Sequence, residues 1–184
     1  RGVTLRRTRE QADIQLPPRT DMRVTVPMTG AQGRVHDRIG RRIASIASRQ
    51  RKGRPLPPED FVELMQLLTQ QRIVSNGLAL IDYEDVWPQI QNEPPSPALL
   101  EELRSPKLVA FRSLLRDIVV GQQRKVVVFS QWRRMLKLAQ LVTRDILEEV
   151  GARSVFFTGA ERSDRRTQNV VDFHDDPTVR VMFL

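Results

Sequence analysis

The second half of the sequence alternates short, almost entirely apolar runs with longer amphipathic ones. The runs at 126–130 (VVVFS), 154–157 (SVFF) and 179–184 (VRVMFL) are predicted strands, and the segments between them have helical periodicity. Strands that are apolar at nearly every position are buried on both faces. The order β-α-β-α-β therefore predicts an α/β fold with a parallel sheet and right-handed helical crossovers.

A proline-rich run, PPSP at 94–97, separates this pattern from the region before it. Prolines in close succession cannot continue a helix and are typical of linkers. We therefore predict two regions. Residues 1–97 are mainly helical, and residues 98–184 form the α/β part.

Two amphipathic helices are predicted before the proline-rich run. Residues 23–28 alternate like a half-buried strand, and Thr29 is a suitable N-cap for the first helix. That helix places four apolar residues on one face: Val35, Ile39, Ile43 and Ile46. Its remaining surface carries five arginines: Arg34, Arg38, Arg41, Arg42 and Arg49. The second helix begins near Pro58 and ends near Gly77. Five of its apolar residues are predicted to face inward: Phe61, Leu64, Met65, Leu67 and Leu68.

Three more helices flank the predicted strands. The first has Ser105 as its N-cap and ends at Gly121. The second is predicted as one continuous helix that ends at Gly151. The third is capped by Ser163 or Asp164.

The positive charge is concentrated at the start of the chain. Residues 1–54 carry 14 Lys and Arg against 4 Asp and Glu, and residues 55–184 carry 16 against 18. Arginine outnumbers lysine 26 to 4, and guanidinium is the better bidentate partner of phosphate. A polyanionic partner explains this pattern, and a GC-rich genome that favours arginine codons is the alternative.

The sequence offers little for metal or nucleophilic chemistry. It has no cysteine, which excludes disulfides and thiolate metal sites. His174, Asp175 and Asp176 are adjacent in one turn and rarely converge on an ion in that arrangement. We therefore predict no catalytic residue and no metal site.

Polar side chains follow two predicted strands at the point where each strand ends. Ser130, Gln131 and Trp132 follow the first strand, and Thr158 and Gly159 follow the second. Loops at the carboxyl ends of parallel strands meet at one edge of the sheet, and the start of the next helix favours anions. We treat these strands as neighbours that present one nucleic-acid-binding surface. The candidate residues are Ser130, Gln131, Thr158, Gly159, Arg162, Arg165 and Arg166. In the alternative, Ser130 only caps a helix, Trp132 packs in the core and the arginines are solvated.

Several segments resemble one family of proteins. KVVVFSQWRRML resembles the first strand and helix of the second RecA-like lobe in Swi/Snf-type DNA-dependent ATPases, the helicase-like translocases of superfamily two. FFTGAERSDRRTQNVVDFHDD resembles the next element of that lobe, in which Gly159, Arg166 and Phe173 keep the family's spacing.

The resemblance extends to the front of the chain. LRRTREQADIQLPPRTDMRVTVPMTGAQ is similar to the connector between the two lobes of that family. Six residues stand there in the family's order: Leu5, Arg6, Arg7, Leu16, Pro17 and Gln32. LLTQQRIVSNG resembles the helix end before the second lobe, and SPKL at 105–108 resembles the entry to it. The resemblance thus covers nearly the whole chain.

The resemblance implies a division of roles. Residues 1–97 are expected to be the inter-lobe connector and a helical insertion, and residues 98–184 the first half of a second RecA-like lobe. Five residues are expected to face the DNA backbone: Ser130, Gln131, Thr158, Gly159 and Arg166. Phe173 is expected in the core, and Trp132 is expected to pack. The whole protein would be an ATP-dependent translocase on double-stranded DNA that uses ATP and Mg²⁺, with the first RecA-like lobe as a partner.

Motifs for ATP hydrolysis are not found in the sequence. It has no GxxxxGK[ST] phosphate loop, and LALIDYED at 78–85 only superficially resembles the Asp-Glu pair that follows a strand in such enzymes. The family places these motifs on the first lobe. We therefore expect the sequence to be an excerpt that binds no cofactor and is inactive alone. We also expect strand 179–184 to be an uncovered edge through which molecules associate.

A second interpretation stays open. The chain could be a non-catalytic nucleic-acid-binding or partner-binding α/β module whose basic helix docks on phosphates. A phosphate loop upstream of this region would distinguish the translocase interpretation from the binding-module interpretation. The sequence also favours a cytoplasmic, nucleoid-associated bacterial protein.

Overall fold

The computed structural model describes residues 20–50 and 55–184. Eight α-helices are formed in this part of the chain: α1 Gly30–Ser48, α2 Pro58–Asn76, α3 Tyr83–Ile90, α4 Pro97–Glu102, α5 Pro106–Arg116, α6 Arg133–Leu141, α7 Arg144–Glu149 and α8 Ser163–Asp175. The strands are β1 Val126–Val128, β2 Arg153–Phe156 and β3 Val179–Phe183. A 3-10 turn spans Leu78–Leu80, and a π-helical turn, Asp117–Gly121, ends α5.

The three strands form one parallel sheet in the order β1-β3-β2. Val126 lies opposite Val181, and Val128 and Phe156 both lie opposite Phe183. The predicted α/β class and parallel sheet are confirmed. The prediction that the first two strands are neighbours is wrong, because β3 lies between them.

The expectation of an uncovered C-terminal strand is also wrong. Val179, Val181 and Phe183 are each 0% exposed, since β3 is hydrogen-bonded to strands on both sides. A strand that is apolar on both faces is best accommodated at the centre of a sheet. The edge strands of the sheet are β1 and β2; Val127 of β1 is exposed, and Phe129, directly after β1, is 75% exposed.

The start of α1 follows the prediction closely. Thr29 and Gln32 form a capping box, in which the Thr29 hydroxyl accepts from the Gln32 N–H at 3.1 Å and Gln32 Oε1 accepts from the Thr29 N–H at 2.9 Å. Gln32 Nε2 also donates to the Val74 carbonyl at 2.8 Å and so ties α1 to the end of α2. Ile39 and Ile46 are buried as predicted.

Two predictions for the helical region are wrong. Residues 23–28 form no strand, and Val24 is 57% exposed because no neighbouring strand pairs with it in the described part of the chain. In α2, Phe61 is 52% exposed and Met65 is exposed too. This helix has apolar residues on every side, so periodicity cannot identify the face that is buried.

Residues 78–90 pack into the same core as the α/β part. Tyr83 and Ile90 belong to a buried cluster that also contains Leu108, Leu136 and Phe183. The predicted boundary at the proline-rich run stays a prediction.

The junction between α2 and α5 is tight. A Cβ on Gly77 would lie 2.7 Å from Ser105 Cβ, so only glycine fits at the end of α2. Ser105 is the N-cap of α5, as predicted, and its hydroxyl donates to the Asn76 carbonyl at 2.5 Å. The end of α2 and the start of α5 are therefore joined by a hydrogen bond from a side-chain hydroxyl to a backbone carbonyl.

The predicted continuous helix before Gly151 is two helices, α6 and α7. Buried Thr143 lies between them and donates its hydroxyl to the Ala139 carbonyl at 2.7 Å. The Arg112 guanidinium binds the Val142 carbonyl, which therefore does not continue the helix. Arg112 also makes two hydrogen bonds to Asp145 of α7, each 2.5 Å long.

The predicted cap of α8 is wrong as well. The helix begins at Ser163 with Arg162 as its N-cap, and within the described chain neither Ser163 nor Asp164 caps it through its side chain. None of the helices formed by residues 20–50 and 55–184 is long and apolar enough to cross a membrane.

Candidate nucleic-acid interface at the strand ends

The loops after β1 and β2 meet at the carboxyl edge of the sheet. Ser130 and Gln131 follow β1, and Thr158 and Gly159 follow β2. All four line one hollow of about 430 Å³, which we call the strand-end hollow. Leu184 at the end of β3 lies between the two loops and also lines it. The two loops thus converge even though their strands are not neighbours.

Ser130 is fixed by the backbone of the neighbouring strand and by its own turn. Its N–H donates to the Leu184 carbonyl at 2.9 Å, and its Oγ accepts from the Trp132 N–H at 3.1 Å. The Ser130 hydroxyl therefore stabilises the turn before α6. This role is similar to the alternative in which Ser130 only caps that helix. Gln131 follows this rigid turn, is exposed and lines the hollow.

Thr158 binds a carboxylate that the sequence analysis did not include among the site residues. Glu161 Oε2 accepts from the Thr158 N–H at 2.6 Å and from the Thr158 hydroxyl at 2.7 Å. The Ala160 N–H in turn donates to Thr158 Oγ1 at 3.3 Å. The spacing Thr-x-x-Glu is the capping-box pattern, so this contact could have been found from the sequence. Glu161 occupies donors that an anion would otherwise use.

Glu161 is ionised at neutral pH. Burial alone would raise the pKa of Glu161, but the hydrogen bonds from Thr158 and the nearby charge of Arg133 outweigh it and hold that pKa below its ordinary value. The site therefore contains a negative charge beside the threonine.

The three predicted arginines of α8 lie apart from the hollow. The Arg166 guanidinium lies over the Phe157 ring, 5.9 Å from its centroid, just after β2. Arg162 and Arg165 are exposed on the first turn, where Arg162 makes a 3.5 Å ion pair with Asp164. The first backbone N–H groups of a helix lack intrahelical partners and favour anions. Because these arginines do not line the hollow, they could contact a phosphate only if a bound DNA backbone continued from the hollow toward α8.

Two further arginines were not among the predicted site residues. Arg133 and Arg134 occupy the first turn of α6, and Arg133 lines the strand-end hollow. A cation at a helix N-terminus opposes the helix dipole, so these residues do not stabilise α6. Arg134 is explained by its ion pair with Glu84 and its position over the Tyr83 ring, so the unfavourable placement of Arg133 alone is the sequence signal that points to a ligand.

The Trp132 side chain packs against neighbouring residues more than it extends into solvent. It is half-buried and lines a second hollow beside α6 together with Ile73 and Leu80. Its Nε1 is buried without a hydrogen-bond partner among the described residues. The predicted packing role therefore agrees with its position.

The carboxylates of the turn before β3 serve the fold. Asp176 accepts from the Thr178 N–H at 2.8 Å and from Arg153 Nη2 at 2.8 Å. Hydrogen bonds from Thr178 and then from Arg153 hold the pKa of Asp176 far below its ordinary value. Across residues 20–50 and 55–184, His, Asp and Glu form no group suited to a metal ion.

Comparison with solved structures places this geometry in a known fold. The C-terminal domain of the Sulfolobus solfataricus SWI2/SNF2 ATPase matches with a TM-score of 0.63 and 16% identity over 88% of this chain and 60% of that one. The C-terminal part of the Fun30 ATPase domain matches with a TM-score of 0.60 and 16% identity over 92% of this chain and 70% of that one. The chain has the fold of a SWI2/SNF2 ATPase C-terminal domain. The predicted resemblance to the second RecA-like lobe is thus confirmed in the fold.

A third structure with this fold contains DNA. The Sulfolobus solfataricus SWI2/SNF2 ATPase core in complex with double-stranded DNA matches with a TM-score of 0.59 and 16% identity, over 86% of this chain and 29% of that one. The chain therefore spans about three-fifths of the isolated Sulfolobus C-terminal domain and under a third of the core. It matches no known protein-family model and no curated protein sequence.

Proposed function

We propose that this chain is part of the second motor lobe of an ATP-dependent translocase on double-stranded DNA and that it supplies contacts to the DNA backbone. The observation that carries the proposal is the meeting of the Ser130–Gln131 and Thr158–Gly159 loops in one hollow of a SWI2/SNF2 C-terminal fold. A structure of that fold in complex with double-stranded DNA supports the choice of ligand.

The chemistry of the site suits a phosphate backbone. Hydroxyls, a side-chain amide, backbone N–H groups and guanidiniums are the groups that bind phosphate oxygens without reading the bases. A motor that moves along DNA has to hold every sequence equally well. A site made of such groups and resting on the ends of a buried sheet meets that requirement.

The described residues do not fit ATP and Mg²⁺ by themselves. They include no group of acidic or histidine side chains that could hold a metal ion, and the sequence contains no phosphate loop. We therefore propose that ATP and Mg²⁺ act in a larger protein and that the chain alone hydrolyses no ATP. In that protein a first RecA-like lobe would be the partner, and closure of the two lobes would shift the DNA grip. We also propose a cytoplasmic, nucleoid-associated location in a bacterium, as the sequence favours.

The test uses the protein that contains both lobes. ATP hydrolysis is measured with and without duplex DNA, for the wild type and for Gln131→Ala and Arg166→Ala. We expect duplex DNA to stimulate hydrolysis at least about tenfold and each variant to lose most of that stimulation. Arg116→Ala is the matched control, because Arg116 pairs with Glu149 at 2.7 Å at the opposite edge of the sheet.

The outcomes separate the two interpretations. Stimulation that the site variants reduce and the control leaves intact supports the motor. DNA binding without any hydrolysis in the two-lobe protein would instead support a non-catalytic nucleic-acid-binding module. Stimulation that Gln131→Ala does not change would mean that the strand-end hollow does not hold the DNA, whereas Arg166→Ala tests the contact near α8.

A further inference from the structure

Helix α1 carries a row of three exposed arginines, Arg34, Arg38 and Arg41, which we call the α1 stripe. They stand at positions i, i+4 and i+7, so they share one face and span about 10 Å along the axis. Among the described residues, no carboxylate lies within ion-pair distance of any of the three. Asp37 is the nearest acid in sequence, and its ion pair is with His36 at 3.7 Å.

Arg42 of α1 and Arg49, the C-cap of α1, differ from the stripe because both are paired with acidic residues of α2. Arg42 makes two hydrogen bonds to Glu63 of α2, at 2.6 and 2.9 Å, and Arg49 pairs with Asp60 at 3.1 Å. Helix α2 thus neutralises the arginines that face it, whereas no described residue neutralises the α1 stripe. Like charges at this spacing repel each other and destabilise a helix. A bound polyanion would remove that repulsion.

Three adjoining hollows lie between the strand ends and Arg38 of the α1 stripe. The strand-end hollow shares Gln131 and Arg133 with the second hollow, beside α6. The second hollow shares Arg134 with a third, of about 460 Å³, and that one is also lined by Arg38 of the stripe. The hollows thus follow one another from the sheet edge past the first turn of α6 to α1. Arg133 and Arg38 line them as cations, whereas Arg134 is paired with Glu84.

We propose that the α1 stripe is a second contact surface for the phosphate backbone of the DNA held at the strand ends. This inference rests on the proposed function and extends the DNA footprint from the sheet onto the helical region. Arg133 and Arg38 would contact phosphates along these hollows. The floor of the third hollow is apolar, with Ile39 and Leu67, so the backbone would contact its basic rim only.

The test measures the salt dependence of DNA binding. Fluorescence anisotropy gives the affinity of the chain for a labelled duplex of about 30 base pairs between about 50 and 200 mM salt. The stripe variant combines Arg34→Gln, Arg38→Gln and Arg41→Gln. Each lost phosphate contact lowers the slope of log K against log salt by about 0.9, so we expect a slope smaller by about 2 to 3 and an affinity at least about tenfold lower.

Two further variants make the result specific. The matched control combines Arg116→Gln, Arg124→Gln and Arg180→Gln, which removes the same charge at the amino edge of the sheet. It should keep nearly the wild-type slope. A second variant with lysine at the three stripe positions keeps the charge and should retain most of the affinity. Circular dichroism and thermal unfolding check that every variant is folded.

The outcomes distinguish failure of the inference from failure of the proposed function. If Gln131→Ala weakens DNA binding and the stripe variant does not, the strand-end site stands and the stripe inference is overturned. An equal loss in the stripe variant and the matched control also overturns it, because net charge alone would then explain binding. If the wild-type chain and the two-lobe protein both bind no duplex, the proposed function itself fails. Specific loss in the stripe variant supports the inference.

Discussion

The α1–α2 pair and the sheet region of this molecule are stabilised in different ways. Among the described residues, α1 and α2 bury only Ile39, Ile46 and Val74 among their apolar side chains and are joined by ion pairs at their surface. The sheet region is built around β3, whose apolar side chains are buried on both faces. Substitutions at the exposed positions of α1 should therefore affect mainly ligand binding, and substitutions of the buried residues of β3 mainly folding.

The largest expected difference is between two phenylalanines. Phe183 of β3 is 0% exposed and stacks on Phe156 with ring centroids 5.3 Å apart, whereas Phe61 of α2 is mostly in solvent. Phe183→Ala should lower the free energy of unfolding by about 3–5 kcal/mol, and Phe61→Ala by less than about 0.5 kcal/mol. Urea unfolding followed by circular dichroism measures both. Equal losses would show that a partner surface covers α2 in solution.

The sequence predicted the class of the sheet but not the order of its strands. Apolar runs such as VVVFS show that a strand is buried, but they do not show which strand lies beside it. Strand β3 occupies the centre of the sheet, where Val179, Val181 and Phe183 are buried on one face and Met182 is buried on the other. The exposure of Phe61 was missed for a related reason, since a helix with apolar residues on all sides has no preferred buried face.

The candidate site was predicted in part. The meeting of Ser130, Gln131, Thr158 and Gly159 in one hollow was predictable because parallel strands deliver their loops to one edge whatever their order, and their role in DNA binding stays a prediction. Contacts that depend on rotamers or on packing between distant segments were not predictable in the same way. A hydrogen bond from Arg112 to the Val142 carbonyl helps to separate α6 from α7. These two residues are distant in sequence, so no local sequence pattern predicts the contact. Glu161 is the exception, because Thr158 three residues before it was a readable signal.

Removal of an ion pair in either region is expected to lower the free energy of unfolding by an intermediate amount. Arg112 and Asp145 join α5 to α7 through two hydrogen bonds of 2.5 Å and are partly buried. Asp145→Asn should cost about 1–2 kcal/mol, at the low end for charged hydrogen bonds because Asp145 is partly exposed. Glu63→Gln, which removes the exposed pair with Arg42, should cost less. Urea unfolding at neutral pH compares the two variants.

The pH dependence gives a second readout of the Arg112–Asp145 pair. The hydrogen bond from Arg112 lowers the pKa of Asp145 below its ordinary value of 3.8, despite partial burial. The pair therefore stabilises the fold fully above that value, and its contribution is lost as the pH falls through the lower pKa of the folded state. The difference in unfolding free energy between wild type and Asp145→Asn should shrink on acidification. A difference that stays constant to low pH would contradict the pairing.

The smallest expected effect is a change in affinity for duplex DNA, and it follows from a difference in charge between the two surfaces proposed to hold DNA. The α1 stripe has no carboxylate partner among the described residues, whereas Glu161 places a negative charge at the strand-end hollow and occupies the donors of Thr158. One unit charge a few ångströms from a phosphate costs on the order of 1 kcal/mol in a wet site, so Glu161→Gln should raise duplex affinity about fivefold. Asp164→Asn, which removes an exposed acid in the first turn of α8, is the control and should raise it less. Anisotropy titrations at low salt measure both. Weaker binding by Glu161→Gln would mean that Glu161 acts chiefly by shaping the loop, so that Thr158 and Gly159 depend on it to face the DNA.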